Sequence, residues 1–134
     1  MLRSDELERA ARIVVDCGYR IHQELGPGLL ESAYEALLAV AARQAGLGVE
    51  RQVPIAMSYR GVVVDNAFKV DLLIENTLIV ELKSIERLAP VHSKQVLTYL
   101  RLMRLPLGML INFNQATFNA GLRRIANDYY GHFA

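Results

Sequence analysis

Cysteine is almost absent from this sequence, and its scarcity limits the class of protein. Cys17 is the only cysteine among 134 residues, so the chain cannot close an internal disulfide. A disulfide-free chain fits the reducing cytoplasm, which we predict as its location. Cys17 falls on the apolar stripe of a predicted helix, which favours a small core residue over a nucleophile.

Long apolar runs and a targeting segment are also missing. No stretch approaches the roughly 20 apolar residues that a transmembrane helix needs. The residues from Met1 to Glu6 lack the pattern of a signal peptide. We therefore expect no membrane partner.

Charge of one sign is not in excess over the whole chain, whose net charge is +1, but its distribution is uneven. Residues 1–82 carry a net charge of −4, whereas residues 83–134 carry seven basic and two acidic side chains, a net +5. A basic half suits a polyanion such as nucleic acid. An uneven solvated surface without a partner explains the charge equally well.

The abundant apolar residues, 52% of the chain against 22% charged, indicate a globular protein with one domain over residues 1–134. Their spacing predicts helices over residues 5–25, 29–45, 91–103 and 120–130. It predicts strands over 49–59, 62–74, 77–84 and 107–112, the second with a bulge at Asp65–Asn66. The helix before the fourth strand acts as a crossover, so that strand can run parallel to a neighbour.

The stretch from Asp71 to Lys83 is the centre of the predicted fold. Two apolar runs meet at Glu75–Thr77, which predicts a β-hairpin. A three-residue loop pairs Asp71 with Glu81 and segregates the two faces, whereas a two-residue loop scatters the charges over both. One face is then wholly apolar, with Val70, Leu72, Ile74, Leu78, Val80 and Leu82. The other face carries Asp71, Leu73, Ile79, Glu81 and Lys83.

Two carboxylates and a lysine therefore converge on one surface of the predicted sheet. Hard cations such as Mg²⁺ bind oxygen ligands of this kind and keep several waters. The alternative is an ordinary solvated face, because strands often alternate polar and apolar residues. The hairpin alone does not decide between these interpretations.

The order of elements around the hairpin resembles the core of the PD-(D/E)XK nuclease superfamily. The resemblance implies an α/β (α+β mixed-sheet) fold with a restriction-endonuclease-like αβββαβ core and flanking helices. Asp71 and Glu81-x-Lys83 match its motif, although Val70 stands where the motif has proline. Residues 28–34, Gly-Leu-Leu-Glu-Ser-Ala-Tyr, are similar to the signature of the GxxExxY family, a branch of that superfamily. Further matching segments are residues 21–28, 71–73, 79–83, 91–95 and 110–114.

The resemblance implies a divalent cation, Mg²⁺ or Mn²⁺, as the cofactor. Asp71, Glu81 and the backbone carbonyl of Leu82 would hold it. Glu31 would bind it directly or through water, although an acid in the first turn of a helix is also explained by the helix dipole. The cation would polarise a phosphoryl oxygen and lower the pKa of bound water.

The resemblance also implies roles for residues around the cation. Lys83 would orient or activate the attacking water, and Gln95 on the crossover helix would position that water or a phosphate oxygen. Five residues are further candidates for contacts with the substrate: His92, Lys94, Arg101, Asn112 and Asn114. Capping of the helix explains His92 as well, and a turn explains the two asparagines.

The predicted function is therefore a metal-dependent phosphodiesterase that acts on nucleic acid, DNA rather than RNA. One alternative is a nucleic-acid-binding or protein-assembly module that keeps the fold without catalysis. Another is a structural dimerisation module with a solvated charged face. A homodimer would help a domain of this size to span both strands of a duplex, but no residue pattern establishes one.

Overall fold

The computed structural model describes residues 2–127, which form a five-stranded mixed sheet with helices on both faces. The strands lie in the order β1-β2-β3-β4-β5; β3 and β4 run parallel, and the other neighbours are antiparallel. This confirms the α/β fold and the αβββαβ order. The elements are α1 (Ser4–Leu25), α2 (Glu31–Gln44), β1 (Val49–Tyr59), β2 (Val62–Ile74), β3 (Leu78–Lys83), α3 (Pro90–Met103), β4 (Leu107–Asn112), a 3-10 turn (Asn119–Gly121) and β5 (Leu122–Ala126).

Two apolar layers hold the helices against the sheet. On one face, α1 and α2 cover side chains that include Leu72, Ile74, Leu78, Val80 and Leu82. On the other face, α3 covers side chains that include Val70, Leu73, Ile79 and Leu110. The sheet is thus buried on both faces around β3, and every residue of β3 and β4 except Lys83 is buried. Within residues 2–127, no helix is long and apolar enough to cross a membrane.

The hairpin of β2 and β3 has the predicted register. Leu72 pairs with Val80, Leu73 with Ile79 and Ile74 with Leu78, which leaves a three-residue loop. The predicted bulge in β2 is also present. The register shifts opposite the Ile55–Met57 segment of β1, and Asn66 has a left-handed φ of 56°.

One part of the predicted face assignment is wrong, because Val70 does not share a face with Leu72. Val70 packs in the layer under α3, whereas Leu72 packs under α1 and α2. The physical cause is an irregularity in β1, where Gln52 has a left-handed φ of 50° opposite Asp71. At this point the alternation of side chains between the two faces of the sheet is interrupted in both strands. Asp71 lies at this interruption in β2.

The predicted last helix over residues 120–130 is also wrong. The described part of that segment is a 3-10 turn followed by β5, which pairs with β4 from Leu107 to Ile111. Strand pairing satisfies the backbone groups along the edge of β4, which a helix there would leave unpaired. Residues 128–130 of that prediction lie outside the described residues. Gly121 allows the turn, since a Cβ there would lie 2.0 Å from the carbonyl oxygen of Asn112.

Candidate active site

Asp71 and Glu81 are cross-strand neighbours, as the hairpin register requires. The Asp71 N–H donates to Glu81 Oε1 at 3.3 Å, and the Leu82 N–H donates to Asp71 Oδ2 at 2.9 Å. Glu81 is only 7% exposed. The backbone of each strand therefore holds the carboxyl group of the other.

The environment of Glu81 strongly disfavours its charged form. Burial, a hydrogen bond with the Asp71 carboxylate and the charge of that carboxylate raise the pKa of Glu81 from 4.5 to about 9. The Asp71 N–H and the positive charge of Lys83 oppose this shift and do not cancel it. Without a cation, Glu81 is therefore protonated at neutral pH. A cation between the two groups can take the place of that proton.

Lys83 lies two residues after Glu81 on β3, so the two side chains share a face of the strand. Its backbone is fixed from β4, since Lys83 pairs with Asn112 and its carbonyl accepts the N–H of Phe113 at 2.9 Å. The half-buried ammonium lowers the pKa of both Glu81 and Glu31. Lys83 is therefore the basic side chain whose positive charge acts on both acids.

Glu31 is the first residue of α2 and belongs to the same electrostatic group. Partial burial raises the pKa of Glu31, and the charges of Asp71 and Glu35 raise it further. Lys83 and the backbone N–H of Ser84 lower it. Glu31 is an exposed residue, and the charges of Asp71 and Lys83 both act on its carboxyl group.

Tyr34 ties the loop before Glu31 to the rest of the protein. Its hydroxyl donates to the Gly26 carbonyl at 2.6 Å and accepts the Leu29 N–H at 3.2 Å. Its ring is fully buried and stacks on Phe113, with 4.3 Å between the ring centroids. The hydroxyl of Ser84, which follows β3, donates to the Leu29 carbonyl at 2.7 Å. Tyr34 is thus more than the packing residue that its sequence position suggests, because it fixes the start of α2.

Gln95 and Tyr99 lie one helical turn apart on α3, and the charges of the acid pair act on Tyr99. Burial raises the pKa of the Tyr99 hydroxyl, the charges of Glu81 and Asp71 raise it further, and a hydrogen bond with Gln95 lowers it. The ring of Tyr99 stacks on Phe68 of β2, with 4.0 Å between centroids. Tyr99 follows Gln95 by four residues, which places both on one face of α3. This spacing could have indicated from the sequence that the two side chains lie together.

Sequence analysis also missed a polar group on the α2 side of Asp71. Arg51 forms an ion pair with the buried Glu35, with 3.0 Å between Nη2 and Oε2. Gln52 donates to Glu35 and, at 3.2 Å, to Asp71 Oδ1. Glu35 lies one helical turn after Glu31, so helix periodicity could have indicated it. Nothing in the sequence indicated the left-handed Gln52.

The five predicted substrate contacts differ in their positions. Asn112 is fully buried and bonds the backbone of Ile85 through both its amide nitrogen and its oxygen, so it is out of reach of a substrate. His92 accepts the Ala89 N–H at 2.9 Å and thus caps α3. Asn114 is half-buried at the turn after β4, where its N–H also donates to the Asn112 side chain. The remaining two, Lys94 and Arg101, are exposed on α3.

The acid pair has the oxygen chemistry that a hard divalent cation requires. Burial is the largest cause of the raised pKa of Glu81, and the Asp71 carboxylate adds to it. Among residues 2–127, no three or more His, Cys, Asp or Glu side chains are arranged to hold a metal ion together. Two carboxylates, with backbone oxygen and water, would supply the ligands of such a cation. Mg²⁺ sites in proteins are commonly of this type.

The chain is similar to a known family of proteins. A family model described as PD-(D/E)XK nuclease superfamily matches residues 8–125, which include Glu31, Asp71, Glu81, Lys83 and Gln95. No curated protein matches the chain. The mixed sheet with helices on both faces is consistent with a restriction-endonuclease-like fold. The chain therefore belongs to the PD-(D/E)XK nuclease superfamily.

Proposed function

We propose that this protein is a Mg²⁺- or Mn²⁺-dependent phosphodiesterase that cleaves nucleic acid. The observation that carries the proposal is the contact of Asp71 with the buried Glu81, which the backbone of the hairpin holds together beside Lys83. Nuclease superfamilies of this type typically use divalent metal ions. An acid pair of this kind is costly to bury unless it serves a bound positive charge.

Asp71 and Glu81 are the proposed direct ligands of the cation, together with the carbonyl of Leu82. We propose that Glu31 binds the cation through a water molecule. Among residues 2–127, it does not form a group of three metal-binding side chains with Asp71 and Glu81. When bound, the cation would polarise a phosphoryl oxygen and lower the pKa of a water molecule attached to it. The chain's own contribution is to hold these oxygen ligands in place before the substrate arrives.

Lys83 and Gln95 are the proposed partners of the attacking water and the phosphate. Lys83 shares the strand face of Glu81, so its ammonium can orient the water and stabilise negative charge that develops on the phosphate. Gln95 is exposed on α3 and hydrogen-bonds Tyr99 beside the acid pair. An amide both donates and accepts, so Gln95 can contact either the water or a phosphate oxygen.

We also propose that the chain belongs to the GxxExxY branch of the superfamily. The three residues of that motif have connected positions here. Gly28 has a φ of +111°, a conformation that side chains disfavour, and Glu31 opens α2 three residues later. Tyr34 bonds the loop between them. These bonds hold the backbone just before Glu31, which supports the proposed role of the motif.

DNA is the proposed substrate, in preference to RNA, on the resemblance to this nuclease family. Lys94 and Arg101 on α3 are the proposed backbone contacts, since exposed basic side chains supply most of the affinity for nucleic acid. Cleavage of both strands of a duplex would need two centres, for which a homodimer is the proposed arrangement.

A nuclease panel tests the proposal directly. The protein is incubated with single- and double-stranded DNA and RNA in Mg²⁺, in Mn²⁺ and in EDTA. We expect cleavage with either cation, none in EDTA, and none for Asp71→Asn, whose side chain keeps its size. Lys69→Ala, which changes an exposed basic residue of β2 outside the site, should cleave normally. Binding without cleavage in every condition would support the module that keeps the fold without catalysis.

A further inference from the structure

A chain of hydrogen bonds runs from α2 through β1 to Asp71. The Gln52 amide nitrogen donates to Asp71 Oδ1 at 3.2 Å and to Glu35 Oε1 at 2.5 Å. The other oxygen of Glu35, Oε2, accepts two bonds from the Arg51 guanidinium, at 3.0 and 3.1 Å. Glu35 is only 5% exposed, so its position is set by these partners and by α2.

The chemistry of the partners determines which way the Gln52 amide points. Both of its contacts are carboxylate oxygens, which accept hydrogen bonds when ionised, so the amide nitrogen and not the oxygen must face them. Its two N–H groups are then divided between Glu35 and Asp71. Besides its hydrogen bond with Glu81 in the metal-free protein, Asp71 accepts one bond on each oxygen, from Gln52 and from the Leu82 N–H. Each Asp71 oxygen keeps a further lone pair, which remains for a cation.

The backbone of β1 is distorted at the residue that makes this contact. Gln52 has a left-handed φ of 50° within a strand, a conformation that residues other than glycine rarely adopt. In a regular strand, successive side chains point to opposite faces. Here the consecutive side chains of Arg51 and Gln52 both reach Glu35. Such local strain is kept where the surroundings enforce it and is common at functional sites.

We propose that Gln52 is a positioning residue for the Asp71 carboxylate and that Glu35 and Arg51 hold Gln52 in place. The inference rests on the proposed function, because it concerns the cation-binding state of Asp71. Gln52 itself touches neither the cation nor the substrate. Its task is to fix the rotation of the carboxylate, so that the free lone pairs of Asp71 and the Glu81 carboxyl group converge on one point.

Titration calorimetry with Mn²⁺ tests this inference without substrate or turnover. Gln52→Gly removes the side chain and suits the left-handed backbone. We expect Mn²⁺ to bind about tenfold more weakly, as is typical when a hydrogen-bond partner of a metal ligand is lost. The melting temperature of the metal-free variant should stay the same or rise. Asn66→Gly is the matched control, since Asn66 is another left-handed amide residue of the sheet, in the bulge of β2, and should bind Mn²⁺ as the wild type does.

Glu35→Gln supplies an independent arm of the test. Because Glu35 acts through Gln52, this change should weaken Mn²⁺ binding in the wild type but add nothing to the effect of Gln52→Gly. A structural role would give additive effects instead. Unchanged Mn²⁺ affinity in folded Gln52→Gly overturns the inference and leaves the proposed function intact. Absence of Mn²⁺ binding by the wild type overturns both. If Gln52→Gly does not fold, Glu35→Gln alone decides, with unchanged affinity as the contrary result.

Discussion

The backbone N–H of Leu82 donates a hydrogen bond of 2.9 Å to the carboxylate of Asp71. In the opposite direction, the N–H of Asp71 donates to the carboxyl group of Glu81. These reciprocal bonds prevent the two acids from relieving their repulsion by turning away from each other. Only a proton or a cation can then neutralise the pair.

Lys83→Ala should separate catalysis from cation binding. The change removes the group proposed to act on the attacking water, so turnover should fall by about 10²- to 10⁴-fold, the range for general acid–base groups. The two carboxylates remain, so a divalent cation should still raise the melting temperature. With a dissociation constant of about 1 mM, 10 mM Mg²⁺ would stabilise the fold by about 1.4 kcal/mol, or a few degrees. Loss of the cation-dependent shift in this variant would contradict the assignment.

The stability of the metal-free protein should fall as pH rises from about 4.5 towards about 9. The folded pKa of Glu81, about 9, lies above its unfolded value of 4.5, so the folded state binds more protons in this window. The contribution of Glu81 to the free energy of unfolding is complete below pH 4.5. It is lost as the pH rises to the folded pKa of about 9. The slope from one such group is at most about 1.4 kcal/mol per pH unit. Urea unfolding in EDTA at several pH values measures it.

Glu81→Gln is the variant that isolates this effect. It keeps the size of the side chain and removes the titrating group, so the dependence on pH should flatten. The shift of melting temperature with Mg²⁺ should disappear as well. Glu86→Gln, which changes an exposed acid after β3, should keep both behaviours. The pKa argument fails if the wild type and Glu81→Gln show the same slope.

Much of this centre could be predicted from the sequence because the hairpin is a local structure. The three polar residues from Glu75 to Thr77 fix the loop length, and the loop length fixes the pairing of the strands. From that register, the neighbourhood of Asp71, Glu81 and Lys83 follows without any tertiary information. Glu31 and Gln95 lie far away in the sequence, so only the family resemblance could connect them to the hairpin.

Tyr34→Phe should weaken the loop before α2 while the core stays packed. The change removes only the hydroxyl that bonds Gly26 and Leu29, whereas the ring can still stack on Phe113. A net loss of about 1–2 kcal/mol in the free energy of unfolding is expected for two such bonds. Cleavage should also slow, because Glu31 follows this loop directly. Tyr19→Phe, at a half-exposed ring of α1, should leave both quantities unchanged.

Gly121→Ala should destabilise the protein through a backbone clash. A Cβ at this position would lie 2.0 Å from the carbonyl oxygen of Asn112, which cannot move without disturbing the end of β4. We expect a loss of about 1–3 kcal/mol or more in urea unfolding. Gly46→Ala is the control for backbone strain alone, since its φ is +95° but no atom lies within 4 Å of the added Cβ. Equal losses in the two variants would rule out the clash.

The features that sequence analysis missed share a physical origin in tertiary contacts. The segment of β5 has no clean alternation, and it forms a strand because the edge of β4 needs hydrogen-bond partners. The left-handed Gln52 is enforced by Glu35 and Asp71, which reach it from other elements. The same distortion displaced Val70 from its predicted face. Local sequence patterns do not reveal such contacts, so β5 and the left-handed Gln52 could be seen only in the structure.

The hairpin that joins Asp71 to Glu81 also bears on the order in which the chain folds. The two acids are ten residues apart, and hairpins close in about 1–10 μs. The parallel pairing of β3 with β4 must wait for the α3 crossover, and such non-local contacts form more slowly. The two acids therefore meet before the sheet that will enclose them is complete. We expect refolding in EDTA to slow as pH rises, because the first contact of the nascent sheet then brings two negative charges together.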